Sequence, residues 1–209
     1  MTTTEYIEER LGELAQHKQH FERLFYFLEE EELFFIPEGE QWSAIECIEH
    51  INNVNEAYLA QLTKVCQLDQ ASQTQDLPLS WFQRKAYQWM SPLSKPGSTK
   101  VPAPKALLPR RMRDSKLKIS AQKVMENFIS DLGQIERILR IIPESPELRN
   151  TKVISALPPV RIKALTALQL IVPHIGRHLE QAERILKGGQ LYKLSQQHNP
   201  DLFYPTKDA

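Results

Sequence analysis

The sequence predicts an all-α protein, a four-helix bundle in which a long connection separates the second and third helices. Three observations carry that prediction. Four segments of about 20–28 residues repeat their apolar residues at helical spacing. Serine or threonine stands at the start of three of them, with cap spacing. About 50 residues with six prolines, 78, 92, 96, 102, 104 and 109, lie between the second segment and the third.

The first helix is expected over Glu5–Glu32. Ile7, Leu11, Leu14, Phe21, Phe25 and Leu28 form its stripe, Lys18 interrupts it, and glutamates crowd the opposite face. The run FFIPEGEQ ends it, since proline and glycine stop helices. The second helix opens at WSAIE. Ser43 is the N-cap, Glu46 completes a capping box, and Trp42 is placed to staple onto Cys47. Ile48, Ile51, Val54, Tyr58, Leu62 and Val65 follow to about residue 68. The third begins near Ser120, buries Val124, Phe128, Leu132, Ile135, Leu139 and Ile142, and stops at Pro143. The fourth is expected from TALQ, with Thr166 and Gln169 as a second capping box and Gly188–Gly189 as a left-handed stop. No strand alternation competes with these segments.

Residues 1–189 therefore read as one bundle, with 70–118 as a connector packed on it and 190–209 as a tail. Within the connector, SWFQRKAYQWM is expected to form a short helix capped by Ser80, its aromatics Trp81, Phe82, Tyr87 and Trp89 packed on the bundle. A connector of this length permits the second and third helices to run in the same direction.

Charge is uneven along the chain. The formal net charge is zero, yet residues 1–69 carry −11 and residues 70–118 carry +8. Mutual attraction between an acidic bundle half and a basic connector explains this more simply than an anionic ligand does. A neutral chain gives no general reason to expect nucleic acid. Two cysteines, Cys47 and Cys66, stand too far apart on one helix to bridge, which suits a reducing cytoplasm. The acidic, periodic start is unlike a signal peptide, and no run of about 18 apolar residues would span a membrane.

The chemistry concentrates in histidines. His174 and His178 stand four apart in PHIGRHLEQ, on or beside the apolar stripe of the fourth helix. Residues at that spacing converge on one face, so two imidazoles can share an ion. Six histidines in 209 residues give about 0.17 such pairs by chance, so the spacing alone decides nothing. His50 strengthens it. It lies about 10 Å into the second helix and His178 about 13 Å from the end of the fourth, so antiparallel packing brings them to one level. His17 and His20 share a Glu-rich helical surface and are expected to be solvated, as is His198.

WSAIECIEHI followed by HIGRHLEQAERI resembles the DinB/YfiT-like superfamily of metal-binding four-helix bundles, over about residues 5–187. The resemblance implies His50, His174 and His178 as ligands of one divalent ion, helix order 1-2-4-3, and the frequent formation of a homodimer; Zn and Ni both suit imidazole ligands. It matches Arg177 and Gln181 to family positions beside the second helix-four histidine. Arg177 is read as an anion-holding residue or a surface ion pair with Glu180 or Glu183. Gln181 is read as a partner for a ligand histidine or an exposed amide. Cys47, three residues before His50, is read as a buried apolar residue, with a fourth ligand or reactive thiol as the alternative. Capping and surface roles come first for Glu46 and Glu49, with base chemistry, by proximity alone, as the alternative. Pro173 is the departure from the pattern and predicts a kink or bulge one residue before His174.

The resemblance implies a small-molecule substrate and either of two chemistries, hydrolase-like attack by water or conjugation with a low-molecular-weight thiol. The absence of an obvious base carboxylate tilts toward thiol transfer. A non-catalytic metal-binding or stress-response bundle, acting as a binding module, is the reading of a different class. No nucleophile elbow or phosphate loop points elsewhere.

Overall fold

A computed structural model describes residues 3–67, 103–156 and 159–189. The short helix expected near Ser80, with Trp81, Phe82, Tyr87 and Trp89, lies outside those residues, as do the tail and His198. Four long helices form the bundle: α1 (Thr3–Phe25), α3 (Ala44–Cys66), α5 (Ala121–Ile141) and α7 (Ala164–Gly188). Three short helices, α2 (Glu30–Phe34), α4 (Arg110–Arg113) and α6 (Pro146–Asn150), sit in the connections.

The first helix ends at Phe25, seven residues earlier than its periodicity suggests. A new start explains the break: the Glu32 carboxylate accepts the Glu29 backbone N–H at 3.0 Å, and α2 begins at once. Tyr26 and Phe27 are left exposed in the turn between them.

The α3 start is built as its sequence indicates. Ser43 Oγ accepts from Glu46 N at 3.4 Å and Glu46 Oε2 accepts from Ser43 N at 2.9 Å. Ser120 likewise caps α5, accepting from Lys123 N. The core forms where the apolar stripes meet, with Phe21 and Phe128 rings 4.5 Å apart, and Ile48, Ile51, Leu62, Phe128, Ile135 and Leu168 without solvent contact.

The helix order departs from 1-2-4-3. Both α1 and α3 pack along α5 and along α7, so α1 and α3 face each other across the core and are not neighbours. Short loops force consecutive helices side by side. The α1–α3 connection covers 26–43, has its own helix, and is long enough to cross the bundle. On one side of α3, Asn52 Nδ2 donates to Val124 O at 2.8 Å and Asn55 Nδ2 to Asp131 Oδ2 at 3.3 Å. Both positions advance together, so α3 and α5 are parallel, as the long connector permits.

A two-stranded antiparallel hairpin, β1 (Lys152–Ile154) and β2 (Arg161–Lys163), precedes α7, with Val153 opposite Ile162. Three residues per strand are too few for alternation to be read from sequence. The hairpin sets the position of α7. The Gln61 side-chain amide pairs with both backbone groups of Ile154, at 2.8 and 3.1 Å, and Tyr58 Oη accepts from Ala156 N. The entry to α7 is thereby fixed near the end of α3, and the two helices run antiparallel. The strand passes straight into α7 at Ala164, so Thr166 and Gln169 are buried helix-interior residues and not a capping box. At the other end, Gly189 is extended with φ −79°, and the left-handed stop is absent. The helix is continuous through Pro173.

Candidate metal centre

Antiparallel packing of α3 on α7 brings His50 beside His174 and His178. Each ring offers one nitrogen within 4.8 Å of the other two. Ring centroids are 5.3 Å apart for His50–His174, 4.6 Å for His50–His178 and 4.5 Å for His174–His178. Two nitrogens bound tetrahedrally to one ion stand roughly 3.4 Å apart, so about an ångström of ring movement closes the cluster.

Two of the imidazoles are oriented from behind. His50 Nδ1–H donates to the Leu107 carbonyl at 2.7 Å, and His178 Nδ1–H donates to Gln181 Oε1 at 2.9 Å. Each bond fixes a tautomer and leaves Nε2 with a lone pair. His174 Nδ1 is buried without a hydrogen-bond partner among the described residues. A buried imidazole nitrogen left unpaired is costly unless something absent from the polypeptide completes it.

Burial lowers the pKa of all three. For His50, desolvation acts against a partial rise from the Leu107 bond. His178 falls to about 3, by desolvation and then by repulsion from His50. His174 lies well below the usual range, by desolvation and then by repulsion from His178 and His50. Three neutral imidazoles at neutral pH are a ligand set. The donor chemistry fits a divalent ion, and the orphaned Nδ1 adds to that fit.

Leu107 is held over His50 by the end of the basic connector. Asn53 Nδ2 donates to Leu108 O at 3.2 Å. Arg110 pairs with Glu49, and Arg111 Nε and Nη2 grip the Glu46 carboxylate at 2.6 and 2.9 Å. Glu49 is thus a buried, paired group, not a surface residue; desolvation raises its pKa despite Arg110. Trp42, just ahead of the α3 cap, packs against the core and reaches the site. Its ring lies against His50 and His178, with centroids at 5.0 and 6.0 Å, and walls the site.

Cys47 is fully buried, and desolvation pushes its thiol far up, out of the reactive range. It is not part of the three-histidine group. Arg177 is half-buried, close enough to repel protons from His174 and His178, and forms no ion pair with Glu180 or Glu183. Glu183 is engaged by His20 and Lys187.

His17, expected to be solvated, is buried instead. Its Nε2–H donates to the Val172 carbonyl at 3.1 Å, across the α1–α7 interface. The signal for it was Gly176, a glycine inside a helix, which marks close approach of another element. The Leu107 carbonyl had no sequence signal, because any residue supplies one.

A family model described as the DinB superfamily matches residues 13–182, which is most of the chain, and the chain belongs to that superfamily. No curated protein and no solved structure matches it. No helix among the described residues is long and apolar enough to cross a membrane.

Proposed function

We propose that this DinB-superfamily chain is a metal-dependent enzyme acting on a small molecule. Convergence of three neutral imidazoles, two of them oriented by outer hydrogen bonds, carries the reading. His50, His174 and His178 hold a divalent ion, Zn or Ni. That ion supplies Lewis acidity and lowers the pKa of a water or thiol beside it.

Each protein group then has a task. Leu107 and Gln181 keep Nε2 of His50 and His178 turned toward the ion. Trp42 shields the site on one side. Arg177, without an acidic partner among the described residues, holds an anionic substrate group.

Thiol transfer is favoured over hydrolysis, with a low-molecular-weight thiol as co-substrate. The α3 carboxylates beside His50 in sequence, Glu46 and Glu49, are occupied by Arg111 and Arg110, which leaves no free general base for water on that helix. A thiol whose pKa is lowered by a cation needs no such base.

Elemental analysis of protein purified without a nickel column is the test. About one equivalent of Zn or Ni, with a thermal shift on re-addition after chelation, is expected. Less than about a tenth of an equivalent, with no shift, removes the metal. Turnover of an electrophile with a panel of small thiols, lost in His174→Ala, supports transfer. Tight metal binding without turnover of thiols or esters leaves the non-catalytic binding module.

A further inference from the structure

The stretch of α7 that carries His174 and His178 is gripped from α1. His17 donates to the Val172 carbonyl, two residues before His174. The ring lies so close to the helix that a Cβ on Gly176 would stand 2.5 Å from His17 Cε1 and 3.0 Å from Nε2. Gly176 lies midway between His174 and His178. One turn further along α1, His20 Nε2 meets Glu183 at 3.1 Å, beyond His178. The two contacts bracket both α7 histidines.

Simple packing does not call for this arrangement. An aliphatic side chain would fill the α1–α7 interface without desolvating an imidazole, and an alanine at 176 would suit a helix better than glycine. Pro173 cannot donate to the Gln169 carbonyl, so α7 lacks one internal hydrogen bond just ahead of its first site histidine. An anchor from a neighbouring helix compensates for that local weakness where ligand placement matters most.

We propose that His17 is a positioning residue: it clamps the Val172–Gly176 backbone of α7 so that His174 and His178 present their nitrogens to one ion. The clamp acts through α7 and does not touch the ion. This rests on the metal-site reading above, and the experiment separates the two.

The test compares wild type, His17→Gln and His17→Leu, each stripped with chelator and titrated with Co²⁺, whose visible absorption reports ligand number and symmetry. Gln keeps an N–H for Val172; Leu fills space without one. The expected result is a wild-type-like spectrum for Gln. Leu should show affinity about tenfold to a hundredfold weaker, with an altered spectrum, the size seen when supporting groups are removed. Unchanged affinity and spectrum in Leu, even with lowered apo stability, overturns the clamp. Equal losses in Gln and Leu overturn the Val172 bond as its cause. If Leu does not fold, Gly176→Ala asks the same question, since its Cβ must displace the ring; an unchanged spectrum there overturns the proposal. Wild type that binds no Co²⁺ defeats the metal site itself, a separate outcome.

Discussion

Metal binding at pH 5.5 should release few protons. Three ordinary imidazoles with pKa 6.5 are each about ten-elevenths protonated there, so a shared ion would displace about 2.7 protons. The buried cluster behaves differently. His178, with its pKa at about 3, holds essentially no proton at pH 5.5, and His174 is lowered well below the usual range by desolvation. Only His50 remains, lowered by desolvation but lifted by its Leu107 bond. Release should therefore stay below about one proton per ion. A water bound to the ion, with pKa near 7, adds only about 0.03 at this pH.

Calorimetric titration of the apoprotein with Zn²⁺ in two buffers of different ionisation enthalpy measures the number. Far-ultraviolet dichroism confirms the fold at the same pH. Release of two or more protons refutes the picture of a pre-deprotonated cavity. It would mean that the imidazoles are solvated until metal arrives, and that their convergence follows binding.

Other expectations follow from the same geometry. The His17 contribution to apoprotein stability should be level above pH 6.5 and decline below it. The sign follows from His17, whose folded pKa of about 4 lies under the unfolded 6.5, so the unfolded chain binds the proton first. Between those values His17 removes on the order of 3 kcal/mol, while Asp131, raised to about 6 by desolvation, offsets a similar amount; the urea midpoint of wild type compared with His17→Leu isolates the histidine, and the same pH dependence in both contradicts its burial. Gln181→Leu should weaken Zn²⁺ binding about tenfold to a hundredfold in chelator competition, with little change in apo melting; equal affinity would show that the His178 Nδ1 bond is dispensable. Ser43→Ala should lower stability by about 1 kcal/mol, a melting shift of roughly 2–4 °C. No shift would mean that Arg111 alone holds Glu46 and the α3 start.

The helices were legible because their apolar periods are long and their caps local. Ser43 with Glu46, Ser120, and the stripes of α3 and α5 depend on residues a turn or two apart. His50, His174 and His178 were legible for a related reason: depth along a helix is counted in residues, and antiparallel packing converts it to proximity. What failed depended on partners remote in sequence. The β1–β2 hairpin is set by Gln61 and Tyr58, and it moved the α7 start ahead of Thr166. The order of helices turned on a connection long enough to cross the core. Local composition placed His17 among glutamates, while the α7 backbone that buries it is 155 residues away.

The charge asymmetry takes on structural meaning at the same place. Attraction between the acidic first third and the basic connector has a specific form in Arg111 on Glu46 and Arg110 on Glu49. Both glutamates belong to the first two turns of α3, and His50 follows directly after Glu49. The strap therefore lands where the Leu107 carbonyl can reach His50 Nδ1. Both arginines are about half exposed, so each ion pair alone contributes little. Their effect is registry: the Glu46 carboxylate serves the Ser43 backbone and Arg111 at once, which locks the strap to the cap. A shift of one residue in the strap would carry Leu107 away and leave a buried imidazole N–H unpaired, at a cost of about 1–3 kcal/mol. The helix start, the basic segment and the first histidine are in this way one construction, and the His50 tautomer is decided by all three.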